Sequence, residues 1–219
     1  MLSLMLKDIL LLKKTIAFSA LYLVFMLFVF ASLDNAASVF VICMVAITYM
    51  LTVSGCALDD KNKADVILNS LPLSRSVIVG ARYLMVFVYV IFAVIIYILA
   101  TRVVGMMHLI PSLHPVSLEE VLGAFLSISF LASIYLPLYF KFGYIKSRIY
   151  HFILFFGMFF GISLVASGIA SGNPTLLGIA AFLSRQSEGV IGAMIAGTAL
   201  ALLAVSYGIS LKIYRNREF

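Results

Sequence analysis

The chain has 219 residues, of which 64% are hydrophobic and only 11% charged. A soluble domain carries about 25% charged residues. Several apolar runs here reach or approach the ~20 residues a helix needs to cross a bilayer. The composition excludes a soluble globular domain and predicts an all-α polytopic membrane protein. A net charge of +6 would suit nucleic acid on a soluble face. Here the charges fall in short segments beside apolar runs, the orientation signal of membrane proteins, so no nucleic-acid partner is expected. Cys43 and Cys56 lie in one predicted helix, roughly 20 Å apart along its axis, too far to pair.

In chain order, residues 1–14 are leucine-rich, with Ser3, Lys7 and Lys14 on roughly one face. They read as an N-terminal interfacial elbow helix. Six transmembrane helices follow at about 15–33, 38–58, 77–100, 118–140, 151–171 and 189–211, forming a single transmembrane domain over 1–219. Asp34-Asn35 makes a turn between the first two. Arg82, one turn inside span three, should snorkel to the interface, and Pro137 should kink span four. The short apolar run 176–183 cannot cross and reads as re-entrant or interfacial.

The long polar interruption is residues 59–76. Within it Ala64, Ile67, Leu68 and Leu71 fall at i, i+3, i+4 and i+7, one apolar stripe on a short helix. Asp59 or Asp60 can cap its start. Pro72 cannot continue it, and Ser74 can cap the next helix from about Arg75. Such a helix between two spans either lies on lipid or docks in a partner's groove. Lys61 and Lys63 are offset by Asp59, Asp60 and Asp65, so anionic lipid offers little. A protein groove is the better host, with Leu68 and Leu71 as its anchors.

Leu71-Pro72-Leu73-Ser74-Arg75, followed by Ile78-Val79 and Arg82-Tyr83-Leu84, resembles the corresponding segment of bacterial ABC-2 type permeases. Pro137-Leu138-Tyr139-Phe140-Lys141-Phe142-Gly143 is a second match, at the family's second cytosolic loop. The resemblance implies that 59–76 carries a coupling helix, giving an ABC-2, type V exporter-like fold. It implies contact with a separate ATPase subunit through Lys61, Lys63, Ala64, Asp65, Ile67, Leu68, Leu71, Pro72 and Arg75, and through Lys141, Lys146 and Arg148 of loop two. Two permeases, identical or not, would work with two ATPase subunits. ATP and Mg would be bound by that partner, with no cofactor in this chain. Spans two and five would line the path, which brings forward Thr48, Tyr49, Thr52, Phe155 and Phe159. Among ABC-2 permeases, the short chain and second motif look most like exporters of amphipathic toxin peptides such as phenol-soluble modulins, with antibiotic exporters close by.

Six spans put both termini on one side. The N-terminal segment, 59–82, 141–148 and the tail then hold 13 of the 15 Lys and Arg residues. That asymmetry makes these segments cytoplasmic in a bacterial cell membrane.

The sequence has no G-x-x-x-x-G-K-[ST] phosphate loop and no metal-ligand spacing. Glu119-Glu120 begins like the motif of intramembrane CAAX-type proteases, but Ala124 stands where that motif wants Arg. Ser117 with Glu120 fits a capping box instead. Gly157-x-x-x-Gly161 and Ala193, Gly197, Ala201 let helices approach closely, inside one subunit by default and between subunits as the second choice. No span carries an acid or base near its middle, unlike ion-coupled pumps. The reading is therefore the membrane subunit of an ATP-driven exporter for an amphipathic or hydrophobic substrate. The alternatives are an intramembrane enzyme of the CAAX-protease type and a non-transporting membrane scaffold or sensor.

Overall fold

The computed structural model describes residues 2–29, 36–106, 117–175 and 186–217, together with Gly178 and Ala181. The expected turn at Asp34-Asn35, the His108 and His114 loop and most of 176–185 lie outside the described residues. The described chain is helical: α1 Leu2–Val29, α2 Ala36–Lys61, α3 Ala64–Ser70, α4 Arg75–Met106, α5 Leu118–Ala170 and α6 Glu188–Arg215. Among the described residues, five helices are long and apolar enough to cross a membrane: Ser3–Val29, Val39–Lys61, Arg75–Val103, Leu118–Tyr150 and Glu188–Arg215. The expected span at 151–171 is the far limb of α5, helical through Ala170, with many of its side chains outside the described residues.

The N-terminal segment is not a separate elbow. α1 runs unbroken from Leu2 through the expected junction at 14–15. No Gly or Pro interrupts it, and its most polar turn is matched from within, because Asp8 is buried and ion-paired. A polar helical segment with partners on the bundle has no reason to turn off along the lipid surface.

α2 is the centre of the bundle, packed against α1, α3, α4 and α5, while α6 packs on α5 and α4. Phe40, Met44, Ile47 and Leu51 of α2 are almost wholly buried. The Phe40 ring meets Tyr97 of α4 edge-on at 4.8 Å.

Pro137 lies inside α5, but the break in that helix is at Gly143, with φ 75° and ψ 178°. Glycine adopts a positive φ without the Cβ clash of other residues, so the expected second loop shrinks to one residue between two helical limbs. Pro137 has no N–H, which leaves the carbonyl of Ser133 without its intrahelical donor. Ser206 of α6 supplies one, its hydroxyl donating to that carbonyl at 2.6 Å. The proton of Ser206 being committed, Tyr83 of α4 donates to Ser206 at 2.6 Å. Tyr83 in turn accepts from Ser210 at 2.8 Å. A relay of hydroxyls from two helices, α4 and α6, thus satisfies the α5 backbone group that the proline frees.

The small-residue stripes do not pack inside the chain. Ala193, Gly197 and Ala201 are exposed, and so are Gly157 and Gly161. The seam that α6 buries is Ala199, Leu203, Ser206, Ser210 and Tyr214.

At the start of α5 the capping box forms as expected. The Glu120 N–H donates to Ser117 Oγ at 3.2 Å, and the Ser117 N–H donates to Glu120 Oε2 at 3.3 Å. Both acids sit at the positive end of the helix dipole.

Candidate functional site

The basic ends of the helices converge. α3 is joined to α2 through Asn62 and Lys63, whose N–H groups donate to Leu58 O and Asp60 O at 3.0 and 3.1 Å. Lys63 takes a left-handed conformation, φ 50°, which costs a non-glycine residue roughly 1–2 kcal/mol. Asp59 and Asp60 do not cap α3, because both belong to the last turn of α2. α3 stops at Ser70 with Leu71 extended, as Pro72 requires, and α4 starts at Arg75 with the Ser74 carbonyl accepting from Val77 at 2.9 Å.

The stripe of α3 divides between two hosts. Ala64 and Leu68 are each 8% exposed and pack into the bundle. Ile67 and Leu71 are 57% and 47% exposed, and Val66, outside the expected stripe, is equally open at 61%. Leu68 is therefore an anchor within the chain and not one for a partner. Lys61, Lys63 and Pro72 are exposed beside it, while the side chain of Asp65 lies outside the described residues.

Beneath Leu68 is a hollow of about 350 Å³, lined among others by Lys7, Asp8, Asp59, Arg82, Tyr139 and Phe140. Its polar wall is a closed set of ion pairs. Lys7 Nζ lies 2.9 Å from Asp59 Oδ1 and 3.3 Å from Asp8 Oδ1. Arg82 Nη1 donates to Asp8 Oδ2 at 3.0 Å, and its Nη2 pairs with the second oxygen of Asp59. Arg82 does not snorkel to the interface: it is 7% exposed, because two carboxylates already neutralise it inside the bundle. Sequence reasoning missed this set. The signal was present in Lys7-Asp8 and Arg82, which interrupt apolar sequence, and in Asp59 at the edge of the polar segment, whose charges sum to zero.

Arg75 is engaged within the chain. Its Nη1 donates to the carbonyls of Tyr214, Arg215 and Arg217 at 3.2, 2.6 and 3.3 Å. It thereby caps the end of α6, where a cation suits the dipole. Arg217 in turn donates to Phe140 O at 3.3 Å. Gly143 lies against Asp60, whose Oδ1 would be 3.6 Å from an added Cβ. The two matched segments, 71–75 and 137–143, are thus brought to one end of the bundle. Lys141, Lys146 and Arg148 are exposed around the Gly143 break.

The path candidates are described only for α2. Thr48 and Thr52 are buried within the subunit, Thr52 donating to the Thr48 carbonyl at 2.8 Å. Tyr49 meets Tyr135 edge-on at 5.8 Å. Tyr49 and Thr52 share a hollow of about 230 Å³ with Ile128, Leu131, Ala132 and Tyr135. Tyr49 and Thr52 thus face the first limb of α5, which is expected span four. The side chains of Phe155 and Phe159 lie outside the described residues.

Residues 3–215 match the family described as ABC-2 family transporter protein. The chain belongs to that family. No curated protein and no solved structure matches the chain. The ABC-2 assignment makes this a multi-pass membrane protein of a transporter family whose membrane subunits are in general not enzymes and associate with an ABC ATPase. Within it, Glu120 is accounted for by its capping bonds with Ser117, and Glu119 stands beside it in the first turn of α5. Among the described residues, no group of His, Cys, Asp and Glu is placed to hold a metal ion.

Proposed function

We propose that this chain is the permease of an ATP-driven ABC exporter, paired with a second permease and served by two separate ATPase subunits that bind ATP and Mg. It would sit in a bacterial cell membrane with both termini and α3 in the cytoplasm, since the basic segments gather at the end carrying α3. The substrate class is an amphipathic or hydrophobic molecule, such as a toxin or antimicrobial peptide or an antibiotic. One observation carries the reading. α3 is held from inside by Ala64 and Leu68 and turns Val66, Ile67 and Leu71 outward. A seven-residue helix is too short to be stable alone. With its inner face fixed and its outer face apolar, it suits a groove on a partner. Nucleotide binding would move the spans only by favouring one of their arrangements over another.

The test is Ile67→Asp combined with Leu71→Asp, in the permease reconstituted with its ATPase in lipid nanodiscs. Both side chains are exposed, so the permease should melt as the wild type does. ATPase affinity should fall by roughly 2 kcal/mol or more per true hot spot. Substrate-stimulated hydrolysis should be lost while the isolated ATPase keeps its basal rate. Unchanged binding and unchanged stimulation would remove α3 from the interface. Leu68→Asp would not discriminate, because it disturbs the bundle itself.

A further inference from the structure

We infer that the Lys7–Asp8–Asp59–Arg82 quartet is a positioning device that locks α3 and the adjoining ends of α1, α2 and α4 into one rigid body. The four ions come from three helices. Lys7 and Asp8 belong to α1, Asp59 to the last turn of α2 and Arg82 to the second turn of α4. Asp59 bonds to both cations, so the end of α2, which leads directly into α3, is tied to α1 and α4 at once. Leu68, buried like Ala64, lines the same hollow as the four charged groups. The other flank of α3 leads to Arg75, which holds the end of α6.

The backbone has left room for this joint. A Cβ at Gly55 would stand 3.0 Å from Arg82 Nη1 and 3.2 Å from the Tyr89 hydroxyl. With a Cβ there the guanidinium, which donates to the Gly55 carbonyl at 3.4 Å, would be pushed off α2 by a few tenths of an ångström. Arg82 thus meets α1 and α2 through three acceptors in fixed directions, Asp8, Asp59 and Gly55 O. Buried ion pairs are poor sources of net stability, because desolvation offsets most of their attraction. Their directional bonds do select one arrangement of the groups that make them, which is the use this geometry suits. The consequence for transport rests on the proposed function: a push on α3 reaches three spans without slack.

The rigidity is measured on the permease alone. Spin labels at Ser70→Cys, exposed at the end of α3, and Met106→Cys, in a Cys43→Ala, Cys56→Ala background, report the position of α3 against the far end of α4 by pulsed dipolar spectroscopy in nanodiscs. A single narrow distance is expected for the otherwise unaltered chain. It should broaden in Gly55→Ala, which keeps all four charges and displaces the guanidinium and the Tyr89 hydroxyl beside it. It should also broaden in the apolar combination Lys7→Met, Asp8→Leu, Asp59→Leu and Arg82→Met, which should melt close to the parent. With ATPase added, both variants should keep co-purifying through Ile67 and Leu71 but lose substrate-stimulated turnover. Distances that stay narrow in Gly55→Ala would overturn the inference, even if the apolar combination fails to fold. A parent permease that binds no ATPase would instead overturn the proposed function and leave the distance measurement to decide the quartet.

Discussion

α2 and α6 are both long, apolar and uncharged through their middles, yet they live in different surroundings. Of the most apolar stretch of each, 61% is buried within the chain for α2 and 17% for α6. α2 is enclosed by α1, α4 and α5, and large side chains such as Phe40, Ile47 and Leu51 fill the space between them. α6 buries one narrow seam, Ala199, Leu203, Ser206, Ser210 and Tyr214, spaced by four and three residues as in a two-helix contact. The rest of it, including Leu200 and Val205, is open. Inside a membrane, lipid is as apolar as a protein core, so packing and hydrogen bonds decide helix association. Hydropathy alone therefore says that a helix crosses, and not what it touches.

Substitutions sharpen this contrast. The largest effect is expected at Phe40→Ala, where a buried ring in contact with Tyr97 is removed, at a cost of about 3–5 kcal/mol. Leu200→Ala on the open face of α6 should change stability by no more than about 0.5 kcal/mol. Thermal unfolding of the two variants in one detergent measures both, and equal losses would erase the distinction between the helices. Next comes Ser206→Ala, which strips the buried Ser133 carbonyl of the donor that replaces the one lost to Pro137. It should cost about 1–3 kcal/mol, read in the same melt. A neutral outcome would mean that another group satisfies that carbonyl, and that the narrow seam of α6 holds by packing alone.

The smallest effect is expected far from the basic end. Glu120→Gln weakens one arm of a capping box at an exposed helix start and should cost about 1 kcal/mol or less. Transport should remain near normal. Loss of transport in a stable, normally expressed Glu120→Gln protein would give the Glu119-Glu120 pair a substrate-binding or catalytic role, against its reading as a cap.

The two Gly or Pro positions in α5 show why local rules only partly transfer. Pro137 was expected to bend the helix and does not end it, because Ser206 from a helix about seventy residues later in the chain supplies the missing donor. Gly143, inside the motif that resembles a loop, takes the bend instead. The same limit applies to Arg82. Its depth within an apolar span was legible, and snorkelling is the ordinary solution for a lone cation. That Asp8 and Asp59 would meet it depends on which ends of α1 and α2 lie beside α4.

Sequence by itself determined the class of the protein, the existence of the long helices, the presence of α3 and its stop before Pro72, the start of α4 at Arg75 and the capping box of α5. Each follows from composition, apolar periodicity or a capping residue within a few positions along the chain. Only the tertiary structure decided that residues 2–14 continue α1 without an elbow, that Leu68 points inward while Val66, Ile67 and Leu71 point out, and that the small-residue stripe of α6 is exposed. It alone decided that four charges from three helices close on one another. These are matters of which faces meet. A helix that is apolar all round carries no periodic mark of its buried side, and a charge pair separated by tens of residues becomes visible only when packing brings its members within hydrogen-bond distance.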